Sequence, residues 1–433
     1  MSHGANAANG ILSKEIVIDA LSPPIEEAIP SPPPDGGYGW VVLAAYVGVN
    51  AFTWGVVASY GVYLAYYLAN DVYPGASDID FAFIGGLNFS SAMLVAPLVT
   101  IFARKCGTQV PMATGAVIMS AGFISASFGH GIWQLFLTQG VLVGFGVGFI
   151  STPSIAVLPQ WFDKKRSLAN GIGSAGSGIG GLIFSFGTQA MIDNISLAWS
   201  LRITGIIVGV MNLITALTVR NRNTIIKPPQ RGFDTKLLRR YDVLLLLAWG
   251  FISMFGYTTL LFSLSDFARS IGLSAKQASS ITAFLNLGTA LGRPMIGVIS
   301  DNYGRLETAG IITFVCGTVC FTIWLPDRSY GVTIFFAIVV GAILGVFWMT
   351  AAPICVEVVG LVELPSMLSL TWMSIVLPTT FSEAIALKLR RPGSGHEYLY
   401  AQIFAGLAYF IASGCMYELR RLSKRKKSRE DCA

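Results

Sequence analysis

Long apolar stretches separated by short polar breaks fill the chain from about position 40 to position 418. Twelve stand out, at roughly 40–66, 81–103, 110–128, 133–158, 168–191, 199–219, 241–263, 277–300, 308–325, 331–355, 366–387 and 398–418. Each holds close to the ~20 residues with which a helix, rising ~1.5 Å per residue, crosses a ~30 Å hydrocarbon core. In lipid, backbone polar groups must be satisfied inside the segment, so apolar runs of this length predict helices. The pattern therefore predicts an all-α membrane protein with twelve transmembrane helices.

The polar breaks divide that array. Residues 1–33 are polar and proline-rich (LSPPIEEAIPSPPP), with Lys14 as their one basic residue, and predict a disordered tail, not a cleaved signal peptide. The longest internal break, 220–240, carries Pro228 and Pro229 and separates six runs in 34–219 from six in 241–418, with a basic tail at 419–433. The two sets read as copies. The glycine-rich fourth run meets Pro153 and the glycine-rich tenth meets Pro353, 200 residues later; Gly107 follows the second run and Gly304 the eighth, 197 residues later. Two parallel six-helix bundles are expected, with a small-molecule site between them near the membrane midplane.

Composition agrees and adds an orientation. Hydrophobic residues make up 53% and charged residues only 12%, for a mean hydropathy of +0.64, against ~25% charged in ordinary soluble domains. The net charge of +6 does not point to nucleic acid, because the basic residues fall in the breaks. Alternate breaks and tails hold 21 Lys and Arg on one side and seven on the other, which predicts that both termini and 220–240 are cytoplasmic. Six cysteines lie in apolar runs or on that basic side, and His3, His130 and His396 all lie outside the runs. No metal site, disulfide framework or cofactor is predicted, and no clustered nucleophile, base and acid suggests an enzyme.

One cation breaks the apolar pattern. Arg293 lies within the run 277–300, where a guanidinium costs roughly 2.5 to 3.5 kcal/mol near a helix centre. Thr282, Asn286, Thr289, Arg293 and Gly297 share its helical face, which must look into the protein. Two roles fit Arg293: contact with an anionic substrate, aided by Asn286 and Thr289, or a structural pair with a carboxylate or helix-end carbonyls. The remaining acids near the membrane, Glu357 and Glu383, are candidates for coupling or for that pairing. In the first run, Tyr46, Asn50, Thr53 and Tyr60 follow helical spacing, so Asn50 and Tyr60 are candidate contacts for a partly aromatic solute or simply a packing face.

Gly297 followed by Asp301-Asn302-Tyr303-Gly304-Arg305 resembles the loop signature of the major facilitator superfamily, which implies its twelve-helix fold; for Asp301 and Arg305 a gating role stands beside plain positive-inside anchoring. Two longer blocks are more specific. Pro34-Asp35-Gly36-Gly37-Tyr38-Gly39-Trp40, and Gln160-Trp161-Phe162-Asp163-Lys164-Lys165-Arg166 continuing through Gly171 to Gly176, resemble the two signatures of the monocarboxylate transporter family. Gly292-Arg293-Pro294 adds to that resemblance, and the tyrosine-rich run 59–67 with the short central linker is similar to the family's fungal branch. The stretch Gly171–Gly176 also reads G-x-G-x-x-G, but no strand precedes it, and close helix packing explains it better than a nucleotide.

The resemblance implies a secondary transporter that moves a small, monocarboxylate-like organic solute by alternating access, with Arg293 at the substrate. Animal members of that family carry an acid one turn before this arginine and a lysine in the first helix; here the positions hold Thr289 and Ala58 or its neighbours, so transport should vary little with the proton gradient if Glu357 and Glu383 are structural, and depend on it if either titrates. Efflux of a secondary metabolite is the alternative, and a non-transporting nutrient sensor is a third reading. The expected setting is a multi-pass protein of the plasma membrane, with an internal membrane and an ancillary subunit left open.

Overall fold

In the computed structural model, which describes residues 33–391 and 393–430, twelve helical rods run back and forth across one slab, and no strand occurs among the described residues. They are α1 (39–69), α2 (78–106), α3 (Gln109–Ala126), α4 (Ile132–Gln160), α5 (Arg166–Asn194), α6 (Leu197–Thr218), α7 (Tyr241–Ser270), α8 (Ala275–Tyr303), α9 (Arg305–Trp324), α10 (330–359), α11 (361–389) and α12 (Leu399–Glu430). The predicted tail 1–33 lies almost wholly outside the described residues.

Length and hydropathy alone pick out eight spans among the described residues. Tyr330–Leu389 is one of them, yet it contains two rods, because Gly360 at φ +82° turns the chain between α10 and α11. A 40° bend after Leu94 hides α2, and α5 and α8 are diluted by Gly, Ser, Asn and the charged residue Arg293. These two polar rods are the central ones. They pack on each other along the boundary between α1–α6 and α7–α12, while α2 meets α11 on a second seam.

Small residues permit the central contact. A Cβ at Gly171 would stand 2.5 Å from the Arg293 carbonyl oxygen, and one at Gly180 would stand 2.3 Å from the carbonyl of Ala51 on α1. The G-x-G-x-x-G string is thus a packing stripe between helices. Two predicted ends move outward. α7 continues to Ser270, and α12 continues to Glu430, past the expected end at 418, because Lys and Arg are good helix formers and the basic turns hold Arg420–Glu307 at 2.8 Å and Arg421–Glu418 at 3.1 Å.

Candidate functional site

The site forms where α8 crosses α5. Arg293 is 6% exposed, and its Nη1 donates to the Ser174 carbonyl at 2.8 Å and to the Ser177 hydroxyl at 2.9 Å on α5. Its guanidinium lies against Gly345 of α10, where a Cβ would come within 2.7 Å of Nε and Nη2, so any side chain there would displace it. The hydroxyls of Tyr46 on α1 and Tyr257 on α7 face the charge. Nε has no acceptor, and no carboxylate forms an ion pair with Arg293 among the described residues. A buried cation held by neutral oxygens keeps most of its attraction for an anion.

That geometry corrects one expectation. Glu383 is not the partner of Arg293: it lies six residues from the Leu389 end of α11, and it accepts from the Ser263 hydroxyl of α7 at 3.1 and 3.2 Å. Arg293 lies ten residues from the Tyr303 end of α8, so the two side chains occupy opposite halves of rods ~43 Å long.

Beside Arg293 lies a layer of aromatic rings drawn from both halves of the chain. Trp348 of α10 packs against Trp54 of α1 at 5.7 Å, Tyr257 at 5.9 Å, Trp372 of α11 at 5.6 Å and Phe89 of α2 at 6.5 Å. The indole N–H of Trp348 faces the Tyr257 hydroxyl. The sequence reading missed Trp348, Tyr257, Ser174 and Ser177. Trp348 sits in an apolar run where any large ring looks like packing, and the Ser174 contribution is a backbone carbonyl that no motif encodes.

The residues singled out from the sequence divide by place. Asn286 is buried on the α5 seam, its amide beside Gly181. Thr289 turns instead toward α10 and donates to the Leu285 and Gly341 carbonyls at 3.0 and 3.1 Å. Asn50 donates to the Tyr46 carbonyl of its own helix at 2.9 Å and lies against α5 at Gly176. Tyr60 lines a separate cavity closer to the end of the rods away from 220–240.

Eight residues from Arg293 along α8, the charges are paired. Asp301 accepts from the backbone N–H groups of Ser167 (3.0 Å) and Leu168 (2.8 Å), capping α5 from across the seam. Arg305 donates to the Asp163 carbonyl at 2.7 Å and reaches Asp301 at 3.5 Å and Glu357 of α10 at 3.6 Å. Arg166 holds Asp163 at 2.9 Å, and Asn170 donates to the Trp348 and Met349 carbonyls. The bonds of Asp301 to α5, of Arg305 to Asp163 and of Asn170 to α10 join the two halves on the side of 220–240.

The two signature blocks dock on this junction. The Asp35 carboxylate accepts from the backbone N–H of Asp163 at 2.8 Å and of Lys164 at 3.1 Å. Burial opposes that charge, but the N–H donors of 163–165 outweigh it and hold the carboxyl below its usual pKa. Gly36 and Gly37 form the turn, with Gly37 at φ +60°. A Cβ on Gly39 would press on Trp161 and Phe162 at 3.2 and 3.3 Å. The rings of Tyr38 and Trp161 lie 5.8 Å apart, those of Trp40 and Phe162 5.3 Å apart, and Lys165 stands over Trp40 at 5.9 Å. Two blocks more than 120 residues apart in sequence thus form one structural unit.

Comparison with known proteins places this architecture. The sequence profile of the Major Facilitator Superfamily matches residues 43–382. The chain is 39% identical over 394 residues to the probable transporter MCH2 of Saccharomyces cerevisiae, covering 89% of this chain and 83% of that protein. It is 34% identical to the uncharacterized transporter ESBP6 of the same yeast, covering 92% of this chain and 61% of that protein. The aspyridones efflux protein apdF of Emericella nidulans is 33% identical over 73% of this chain and 66% of its own length. The crystal structure of FucP, a transporter captured in its outward conformation, superposes with a TM-score of 0.67 over 88% of this chain and 99% of FucP, at 14% identity, a likeness of fold alone.

Proposed function

The chain belongs to the Major Facilitator Superfamily, and from that premise we propose that this secondary transporter carries an anionic, monocarboxylate-like organic solute whose charge is received by Arg293. One observation carries the reading: the buried guanidinium at the α5–α8 crossing has neutral oxygen partners and, among the described residues, no carboxylate in an ion pair with it. A planar fork with a free N–H suits a carboxylate, and the ring layer around Trp348 suits an apolar or aromatic body. Alternating access requires the two halves to separate at one end while closing at the other. The bonds of Asp301 and Arg305 are the contacts to be broken on the side of 220–240.

Efflux of a secondary metabolite is the second reading, and it is favoured by the aromatic layer and the likeness to an aspyridones efflux protein. Profiling of metabolites taken up and exported by cells with and without the chain tests both, followed by counterflow of the leading acid in proteoliposomes. An anionic organic acid is expected. Movement of only neutral or cationic solutes would overturn the proposal. We place the protein in the plasma membrane with 220–240 and both termini cytoplasmic. Gln230, an obvious labelling position in that segment, is only 8% exposed, so the exposed Thr224 is the better choice. Thr224→Cys should resist an impermeant thiol reagent added to intact cells, and ready labelling would reverse the orientation.

A further inference from the structure

The cavity that Tyr60 lines has chemistry of its own. It lies between Tyr60, Tyr63, Asn88, Phe89, Gln139 and Phe262, and all of these except Phe262 belong to α1, α2 and α4. Asn88 and Gln139 are 6% and 4% exposed. Asn88 Nδ2 donates to the Gln139 backbone carbonyl at 2.8 Å; a carbonyl only accepts, so this bond fixes the amide orientation and leaves Oδ1 as the free end. Gln139 Nε2 reaches the Tyr67 hydroxyl at 2.9 Å. Asn88 Oδ1 and Gln139 Oε1 have no partner. Two buried, unpaired amide oxygens among aromatic walls call for hydrogen-bond donors and repel a carboxylate.

We propose that this cavity binds the uncharged, donor-bearing end of the transported solute, a hydroxyl or N–H on an aromatic or aliphatic body, with Asn88 and Gln139 as the acceptors. This rests on the transporter reading above and deepens it. Phe89 links the two regions, since its ring packs against Trp54, Trp348 and Phe262. The acidic end at Arg293 and the donor end at Asn88 therefore flank one aromatic layer. Phe262 comes from α7, so an occupant touches both halves, and its release is tied to their separation.

The test uses the full-length protein in lipid nanodiscs, with tryptophan fluorescence titrated by p-cresol and by p-xylene, in which methyl replaces the hydroxyl. Saturable p-cresol binding should be at least tenfold tighter than that of p-xylene, and the wild-type protein alone decides this. The preference should fall below twofold in Gln139→Met and Asn88→Leu, yet persist in Tyr67→Phe, which removes only the acceptor of the amide nitrogen. Equal affinities, no saturable p-cresol binding, or a preference that survives both amide variants would overturn the proposal; a cavity kept by water would give the second of these. Neither probe carries a carboxylate, so failure here is separate from failure at Arg293. In a parallel arm with 4-hydroxyphenylacetate and 4-methylphenylacetate, Arg293→Ala should weaken both acids alike while leaving the p-cresol preference intact.

Discussion

Arg293 and Arg305 lie on adjoining helices at the same seam, ~12–18 Å apart along the rods, and their surroundings differ in one respect. Arg305 meets Asp301, Glu357 and the Asp163 carbonyl, and Asp301 also caps α5. Arg293 meets the Ser174 carbonyl, Ser177 and two tyrosines. The first cluster is complete without a ligand, and the bonds of Arg305 to the Asp163 carbonyl and of Asp301 to the α5 N–H groups cross the seam and join the halves. The second leaves a buried charge uncompensated, and burial raises the value of any anion that arrives. On the proposed reading, the cation paired with carboxylates closes the transporter and the one denied them reads its solute.

The largest effect should come from breaking the second site. Arg293→Ala should lower uptake of an anionic solute ~100-fold, as expected for loss of charge-assisted hydrogen bonds, and Arg293→Lys should lose ~10-fold or more because the fork is gone. Both should reach the membrane normally, since no acid is left stranded; surface biotinylation beside transport kinetics decides, and unchanged affinity in both variants would assign Arg293 to structure. Asp301→Asn should act on rate: turnover falls ~10-fold, on the scale of a lost charged cap across the seam. The buried Ser300, whose hydroxyl bonds Ser167 at 3.1 Å, should then open. Ser300→Cys should alkylate several-fold faster in the Asp301→Asn background, and no change would show that the junction does not gate.

Asp35→Asn probes the signature unit that supports the junction. It should lower the melting temperature by on the order of 2–4 °C, matching a cap of ~1 kcal/mol. The Asp35 pKa is depressed in the folded state, so its contribution is complete at neutral pH and disappears as pH falls through that depressed value. The gap between wild type and variant should therefore stay constant from about pH 7 to about pH 5 and close only below the ordinary value of 3.8. The smallest effect belongs to Glu383. Its described bonds run to Ser263, away from Arg293, so Glu383→Gln and a protonophore at constant metabolic energy should each change transport less than about twofold. A tenfold loss with the protonophore would establish proton coupling.

The apolar runs, the glycine stripes and the internal repeat determined the membrane class, the order of the twelve helices and the single cation that breaks their pattern, because hydropathy and helical period are local properties of the chain. Contacts between distant segments are not local. That Asp35 clasps 163–165, that Asp301 caps α5, that Glu383 lies away from Arg293 and that Asn88 and Gln139 keep unpaired oxygens beside one cavity all depend on which helices lie side by side. Tertiary packing decided them, since a buried polar group takes its meaning from the partner that it finds or lacks, and that partner lies tens to hundreds of residues away.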